Sequence, residues 1–219
     1  MTLLRTLPLT LALALALTGC AQPALADVPA PTLDVAKASG TKTAVFASGC
    51  FWCVEAVFEA VEGVESVVSG YAGDGPDNAH YDVVGAGRTK HAEAVKITYD
   101  PGKVTYGQLL QIMFVTSDPT QKNGQGPDHG SQYRSTVFYG SDEEKKVVES
   151  FIRQVDAAKT YGDPIAVTLE KLSAFYPAED YHQDFVRLHP DHPYVRAHSV
   201  PRVTALLKKL PERVKKPKS

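Results

Sequence analysis

At 219 residues the chain is long enough for one well-packed domain and short for two. Its 43 % hydrophobic and 22 % charged residues are those of an ordinary globular protein, which excludes a disordered, fibrous or multi-span membrane chain. A net charge of −2 gives no reason to expect a nucleic-acid partner, and the Lys-rich end around Lys208, Lys209, Lys215 and Lys216 reads as a solvated tail.

At the N-terminus, Arg5 precedes an apolar run over residues 7–17, followed by Leu17-Thr18-Gly19-Cys20. A basic start, a short apolar stretch and small residues at a cut site make an export signal, here residues 1–19, and the run is too short to be a stable membrane span. Leu-Thr-Gly-Cys resembles the bacterial lipobox, in which the cysteine becomes the lipidated first residue. Cys20 would then anchor the protein to a membrane on the periplasmic side by its lipid alone. A cut after Ala24-Leu25-Ala26 would instead release a soluble periplasmic protein beginning at Asp27. Either way the protein is expected to be exported. Residues 20–41, rich in Ala, Pro and Thr, are expected to form a linker.

With Cys20 assigned to targeting, Cys50 and Cys53 are the two thiols left for the folded domain. Residues 43–47 form an apolar, strand-like run. After Gly49-Cys50-Phe51-Trp52-Cys53, the residues Val54, Val57, Phe58 and Val61 mark a helical stripe, with Glu55, Glu59 and Glu62 off it and Gly63 as a left-handed stop. Cys50 therefore falls at a strand-to-helix turn, where free N–H groups favour a thiolate. Cys53 follows one turn later, close enough to form a disulfide. Two buried cysteines acting as small hydrophobes would satisfy the same pattern. A redox pair suits an oxidising compartment, where it rests as a disulfide unless something reduces it.

Residues 64–71 read as a strand, and the turn-forming residues 72–78 as a loop that delivers Tyr81. Residues 91–99 form a second strand, in which Glu93 shares a face with Val95, Ile97 and Tyr99. If that face is buried, Glu93 keeps its proton near neutral pH and can donate it; a frayed strand end would leave it solvated. Thr105 caps a helix carrying Tyr106, Leu109, Leu110, Met113 and Phe114. Residues 117–132 form a long polar connection, either a plain surface loop or a site loop presenting Asp128, Gln132 and Tyr133. A strand over 136–139 follows, then a helix opened by a Ser141/Glu144 capping box, then a strand starting at Pro164. The order β-α-β-β-α-β-α-β predicts an α+β fold, a ferredoxin-like β-α-β-β-α-β two-layer sandwich over residues 42–198 with an extra helix, strand and C-terminal wrap. The aromatic, His-rich residues 175–193 form that wrap; their spacing matches no zinc pattern, and no metal is expected. Residues 199–219 form a last helix, with Val203, Leu206, Leu207 and Leu210 packing back, and a basic tail.

Four blocks occur in order: Gly-Cys-Phe-Trp-Cys at 49–53, His-Ala-Glu-Ala-Val at 91–95, Gln-Gly-Pro-Asp-His-Gly-Ser-Gln-Tyr-Arg-Ser at 125–135 and Phe-Tyr-Pro-Ala-Glu-Asp-Tyr-His-Gln at 175–183. Together they resemble the A-type peptide methionine sulfoxide reductases, which act on the S epimer, over residues 42 to 195. The resemblance implies that Cys50 is the nucleophile, that Phe51 and Trp52 wall a pocket for the S-methyl group, and that Glu93 protonates the sulfoxide oxygen with help from the hydroxyls of Tyr81 and Tyr133. Asp128 would hold the substrate backbone and Tyr181 would stand at the rim. Attack leaves a sulfenic acid on Cys50, which condenses with a second thiol. Many relatives recycle through cysteines near the C-terminus. This chain has none after Cys53, so Cys53 becomes the resolving thiol, and a thioredoxin-like reductant opens the Cys50–Cys53 disulfide. Lys90 stands where the family has glycine. No cofactor is implied. The expected substrates are oxidised proteins and free methionine sulfoxide, and the protein is expected to be a monomer.

Two rival readings remain at this stage. A thioredoxin-type thiol–disulfide oxidoreductase shares Cys-x-x-Cys at a helix start, but there the tryptophan precedes the motif and Glu93 has no role. A non-enzymatic peptide-binding lipoprotein would use the aromatics alone and would keep its function without Cys50.

Overall fold

The computed structural model describes residues 27–37 and 39–216. The export segment and the lipidation expected at Cys20 lie outside the described residues. In chain order the elements are β1 (Lys42–Ser48), α1 (Phe51–Glu59), β2 (Val64–Ala72), α2 (Tyr81–Val84), β3 (Ala92–Tyr99), α3 (Tyr106–Thr116), β4 (Gly124–Gln125), β5 (Asp128–His129), β6 (Ser135–Tyr139), α4 (Asp142–Ala157), β7 (Thr168–Lys171), β8 (Phe175–Pro177), α5 (Phe185–Leu188) and α6 (Val200–Lys209).

Six strands make one sheet in the order β7-β6-β1-β3-β2-β8. β3 runs antiparallel to both β1 and β2, and β1 runs antiparallel to β6. Strands β1 and β2 are therefore parallel with β3 between them, which requires a crossover, and α1 supplies it. The four central strands carry the ferredoxin-like order. α4 leads to β7, parallel to β6 at one edge, while β8 closes the other edge against β2.

Alternation along the strands sorts the core. Ala44, Phe46, Val95, Ile97, Tyr99 and Val137 face helices α1, α3 and α4, where Phe46 meets Phe58 edge-on at 5.9 Å and Tyr106 at 5.7 Å. The opposite parity places Val45, Ala47, Ala72, Ala92, Ala94 and Phe138 on the other face, under Leu172 and Phe175. The small alanines there let this thin cover approach closely, so β3 is buried on both faces along its first half.

Local chemistry explains the ends of the elements. Thr105 and Gln108 form a complete reciprocal cap on α3. The box expected at α4 is only half formed: Ser141 Oγ accepts from Glu144 N at 3.1 Å, but the Glu144 carboxylate reaches past the cap to accept from Gly140 N at 2.6 Å. Helix α1 ends at Glu59, and Gly63 is not its stop. Instead Gly63, at φ 90°, turns the chain into β2 where an added Cβ would meet Lys103 Cβ at 2.7 Å.

Other boundaries also differ from the sequence-based expectation. The strand expected from Pro164 begins only at Thr168; before it, Ala166 N donates to Pro119 O at 2.8 Å instead of joining the sheet. Residues 175–177, expected to wrap, pair with β2. The long 117–132 connection folds into the β4–β5 hairpin and a short 3₁₀ turn. Residues 28–36 lie on the domain rather than forming a free linker: Gln111 Nε2 donates to Val28 O at 3.0 Å, Asp34 accepts from Gly107 N at 2.9 Å, and Thr32 N donates to Gln154 at 3.0 Å. A π-helical turn, Val195–Ser199, runs straight into α6, so a division after residue 198 falls inside one helix. Leu206 is fully buried there, but Leu207 is exposed.

Candidate active site

Gly49 adopts φ 81°, and an added Cβ would lie 2.5 Å from Gln125 Cβ. Only glycine makes this turn without strain. It brings β1 to an abrupt end and sets Cys50 as the N-cap of α1. The first helical N–H, from Phe51, has no partner within the helix. It donates instead to Glu93 Oε2 on β3 at 3.1 Å. Glu93 is 1 % exposed, so the face it shares with Val95, Ile97 and Tyr99 is buried. Burial raises its pKa to about 8; the Phe51 hydrogen bond opposes this, and the nearby Asp128 and Cys53 charges add to it. A carboxyl in this setting holds its proton at neutral pH.

The two thiols are free and hydrogen-bonded to each other, with Cys50 as donor. The sequence placed the readily ionised thiol at Cys50. The structure reverses this. Burial pushes the Cys50 thiol well up, and its bond to Cys53 and the charge of Glu93 push it further. Cys53 falls to about 6 because it accepts from Cys50, faces the Arg202 guanidinium and touches Ser199. Ser199 Oγ lies 3.1 Å from Cys53 Sγ, and the Tyr194 hydroxyl lies 3.9 Å away. The Arg202 guanidinium is held by Thr116 O at 2.8 Å and Ser48 O at 2.8 Å. Of the two, Cys53 is therefore the thiol whose ionisation the surroundings favour.

Around this pair the aromatics divide into two groups. Phe51 is buried, with its ring against His182 at 4.9 Å and Tyr71 at 6.0 Å, so it backs the site. Trp52 keeps some exposed surface. One face stacks on Phe185 at 3.7 Å, and its Nε1 donates to His182 Nδ1 at 3.1 Å. Tyr81 opens α2, where its backbone N–H donates to Glu179 at 3.0 Å. Burial and the Glu93 charge raise its hydroxyl to about 12 and raise that of Tyr133 as well, so both remain donors. Asp128, on β5, accepts a hydrogen bond from Tyr194. Tyr181 is 61 % exposed, with its ring against His182 at 4.2 Å. The structure therefore gathers Cys50, Cys53, Trp52, Tyr81, Glu93, Asp128, Tyr133 and Tyr181 around the start of α1, with Phe51 behind them. Lys90 is exposed and takes part through its main chain only.

The sequence reading missed Tyr194, Ser199, Arg202 and His182. A signal for two of them existed: Ser199, Arg202 and Leu206 stand at i, i+3 and i+7, so a hydroxyl and a guanidinium interrupt an apolar helical stripe. The His residues expected to wrap are ring-packing partners, with His192 at 6.2 Å from Trp52 and His189 at 4.5 Å from Phe185.

The chain matches the family model described as "Peptide methionine sulfoxide reductase" over residues 42–214. A relative from Mesorhizobium japonicum named peptide methionine sulfoxide reductase MsrA 2 is 53 % identical over 180 residues, covering 82 % of this chain and 92 % of the relative. A Synechocystis protein of the same name is 45 % identical, covering 86 % and 90 %. Among solved structures, reduced Mxr1 from Saccharomyces cerevisiae is 30 % identical with a TM-score of 0.62, covering 78 % of this chain and 97 % of that one. Methionine sulfoxide reductase A of Corynebacterium diphtheriae is 32 % identical with a TM-score of 0.60, covering 69 % and 76 %. With its sheet, its thiol pair and its buried carboxyl arranged as above, this chain belongs to the peptide methionine sulfoxide reductase family and reduces methionine sulfoxide.

Proposed function

We propose that the chain reduces the S epimer of methionine sulfoxide, free or in proteins, through a Cys50 sulfenic acid and a Cys50–Cys53 disulfide. The observation that carries this reading is the buried Glu93 fixed to the first N–H of the Cys50 helix, where burial raises its pKa. A sulfoxide oxygen is a poor leaving group until it is protonated, so a neutral carboxyl beside a nucleophilic sulfur is the required pair. Cys50 attacks the sulfoxide sulfur and its proton passes to the Cys53 thiolate, the partner it already faces. Glu93 protonates the oxygen, while Tyr81 and Tyr133 donate hydrogen bonds to it. Trp52 lines the methyl side with Phe51 behind it, and Asp128 and Tyr181 hold the flanking chain.

The hydroxyl then passes from the substrate sulfur to the Cys50 sulfur as the transient bond between the two sulfurs breaks and methionine leaves. The resulting sulfenic acid condenses with Cys53; the new S–S bond forms as the hydroxyl takes the Cys53 proton and departs as water. A thioredoxin-like dithiol then restores both thiols, and no prosthetic group takes part. The same reading has the chain exported, anchored at Cys20 by lipid on the periplasmic side or released as a soluble protein at Asp27, and acting as a monomer. An epimer-resolved assay on a methionine sulfoxide peptide with dithiothreitol tests the chemistry. Consumption of the R epimer alone, or disulfide exchange without methionine formation, overturns it. A lipid-sized mass increase on the mature N-terminus tests the anchor.

A further inference from the structure

Glu55 and Glu59 on α1 are both raised to about 7 by burial, close to Asp184, but this acidic cluster carries no sign of a ligand. One cleft does point to one. A cleft of about 590 Å³ lies between the end of α3, the 117–128 loop, the 160–163 loop and α6, and both Cys50 and Cys53 lie at its floor. Phe51, Trp52, Tyr81, Glu93 and Tyr133 do not line it. Asp128 and Tyr194 line it and are hydrogen-bonded to each other, and the Tyr194 ring stands edge-on to Trp52 at 6.0 Å. That pair stands at the edge of the cleft nearest Trp52.

We infer that the reducing thiol reaches the oxidised enzyme through this cleft, carried on an extended loop of a dithiol protein, and attacks Cys53 from the side opposite the sulfoxide. The inference rests on the proposed Cys50–Cys53 disulfide. Three observations support it. Cys53 is 2 % exposed, so a partner needs an opening that leads to it, and the cleft is one. The cleft is within the size range of ligand sites and much larger than a lone thiol needs. On the wall made by the π-helical turn and α6, the small side chains Ala197, Pro201 and Ala205 recur at four-residue spacing between Tyr194, His198 and Arg202. Eight residues of helix rise about 12 Å, which matches three or four residues of extended chain at roughly 3.3 Å each.

The exchange balances without further reagents. The incoming thiolate bonds to Cys53 Sγ, the Cys50–Cys53 bond breaks, and Cys50 leaves with the electron pair toward the Glu93 side. The partner's second thiolate then attacks its own mixed-disulfide sulfur. Cys53 leaves as a thiolate into the Ser199 and Arg202 environment already present, and the partner departs as a disulfide. The enzyme is reduced by two electrons and the dithiol is oxidised by two.

Two variants on opposite walls test this, Ala197→Trp and Thr160→Trp, each compared with wild type. One assay measures the first equivalent of methionine formed by pre-reduced enzyme without reductant. The other measures turnover at saturating sulfoxide against a thioredoxin-type protein or dithiothreitol. Both variants should form the first equivalent at the wild-type rate. Their rate constants toward the protein dithiol should fall by at least about tenfold, because exchange needs close in-line approach of the sulfurs. Dithiothreitol, which needs less of the cleft, should lose less. Wild-type recycling by the protein dithiol in both variants would overturn the inference. So would loss of the first equivalent in both, which would put the cleft on the sulfoxide side, or an equal fall with both reductants, which would mean that the sulfur has been displaced. Failure of wild type itself to form methionine would instead count against the proposed function.

Discussion

The backbone N–H of Phe51 donates to Glu93 Oε2 at 3.1 Å, joining residues 42 positions apart. This bond ties the start of the cysteine helix to the middle of the sheet. It places a neutral carboxyl where the reaction consumes a proton, and it satisfies a helix N–H that would otherwise be buried unpaired.

Replacing that carboxyl separates chemistry from packing. Glu93→Gln keeps an oxygen to accept from Phe51 but has no acidic proton. The rate of formation of the first equivalent of methionine should fall by about 100-fold or more, as expected for the loss of a general acid. Circular dichroism should show the fold retained. An unchanged rate would remove Glu93 from the acid role.

The raised Glu93 pKa also predicts a pH dependence. Its folded value, about 8, lies above the ordinary 4.5, so folding opposes its ionisation. The stability present below pH 4.5 is progressively lost as pH rises through about 8. Thermal melts of wild type should therefore drop relative to Glu93→Gln between those values. First-turnover rates should decline above pH 8 in wild type alone.

Cys53→Ser should form one equivalent of methionine and stop, leaving a Cys50 sulfenic acid that a dimedone-type probe labels and mass spectrometry detects. Formation should be slower than in wild type, because the acceptor for the Cys50 proton is gone. Continued cycling with a thioredoxin-type reductant would show that another group resolves the intermediate.

Ser199→Ala removes the hydroxyl 3.1 Å from Cys53 Sγ. A hydrogen bond to a charged group contributes about 1.5–3 kcal/mol, so the pH midpoint for alkylation of Cys53 should rise by about one unit or more. Iodoacetamide kinetics followed by peptide mapping would read it. No change would mean that Arg202 alone holds the charge.

On the structural side, Phe58 is 1 % exposed and packs edge-on against Phe46 at 5.9 Å. Phe58→Ala should destabilise the fold by about 3–5 kcal/mol, the cost of lost burial plus a cavity. Denaturant titration at pH 7 measures it.

The sequence by itself determined the order of the main strands and helices, the strand-to-helix turn at Cys50 and the face on which Glu93 lies. These follow from periods of two and 3.6 residues and from glycine and capping chemistry, all of which act within a few positions. The Phe175–Pro177 strand was not legible, because three residues pair with β2 only when a sheet edge is there to receive them. Nor was the ionisation of the thiols. Helix-start reasoning favours a charge on Cys50, but Ser199 and Arg202 stand 146 and 149 positions beyond Cys53, and only the folded chain brings them to its sulfur. Burial of Cys50 opposes its ionisation, and a hydroxyl and guanidinium beside Cys53 favour that of the second thiol. Electrostatics sums over neighbours in space, so only the tertiary structure decided which thiol its surroundings help to ionise.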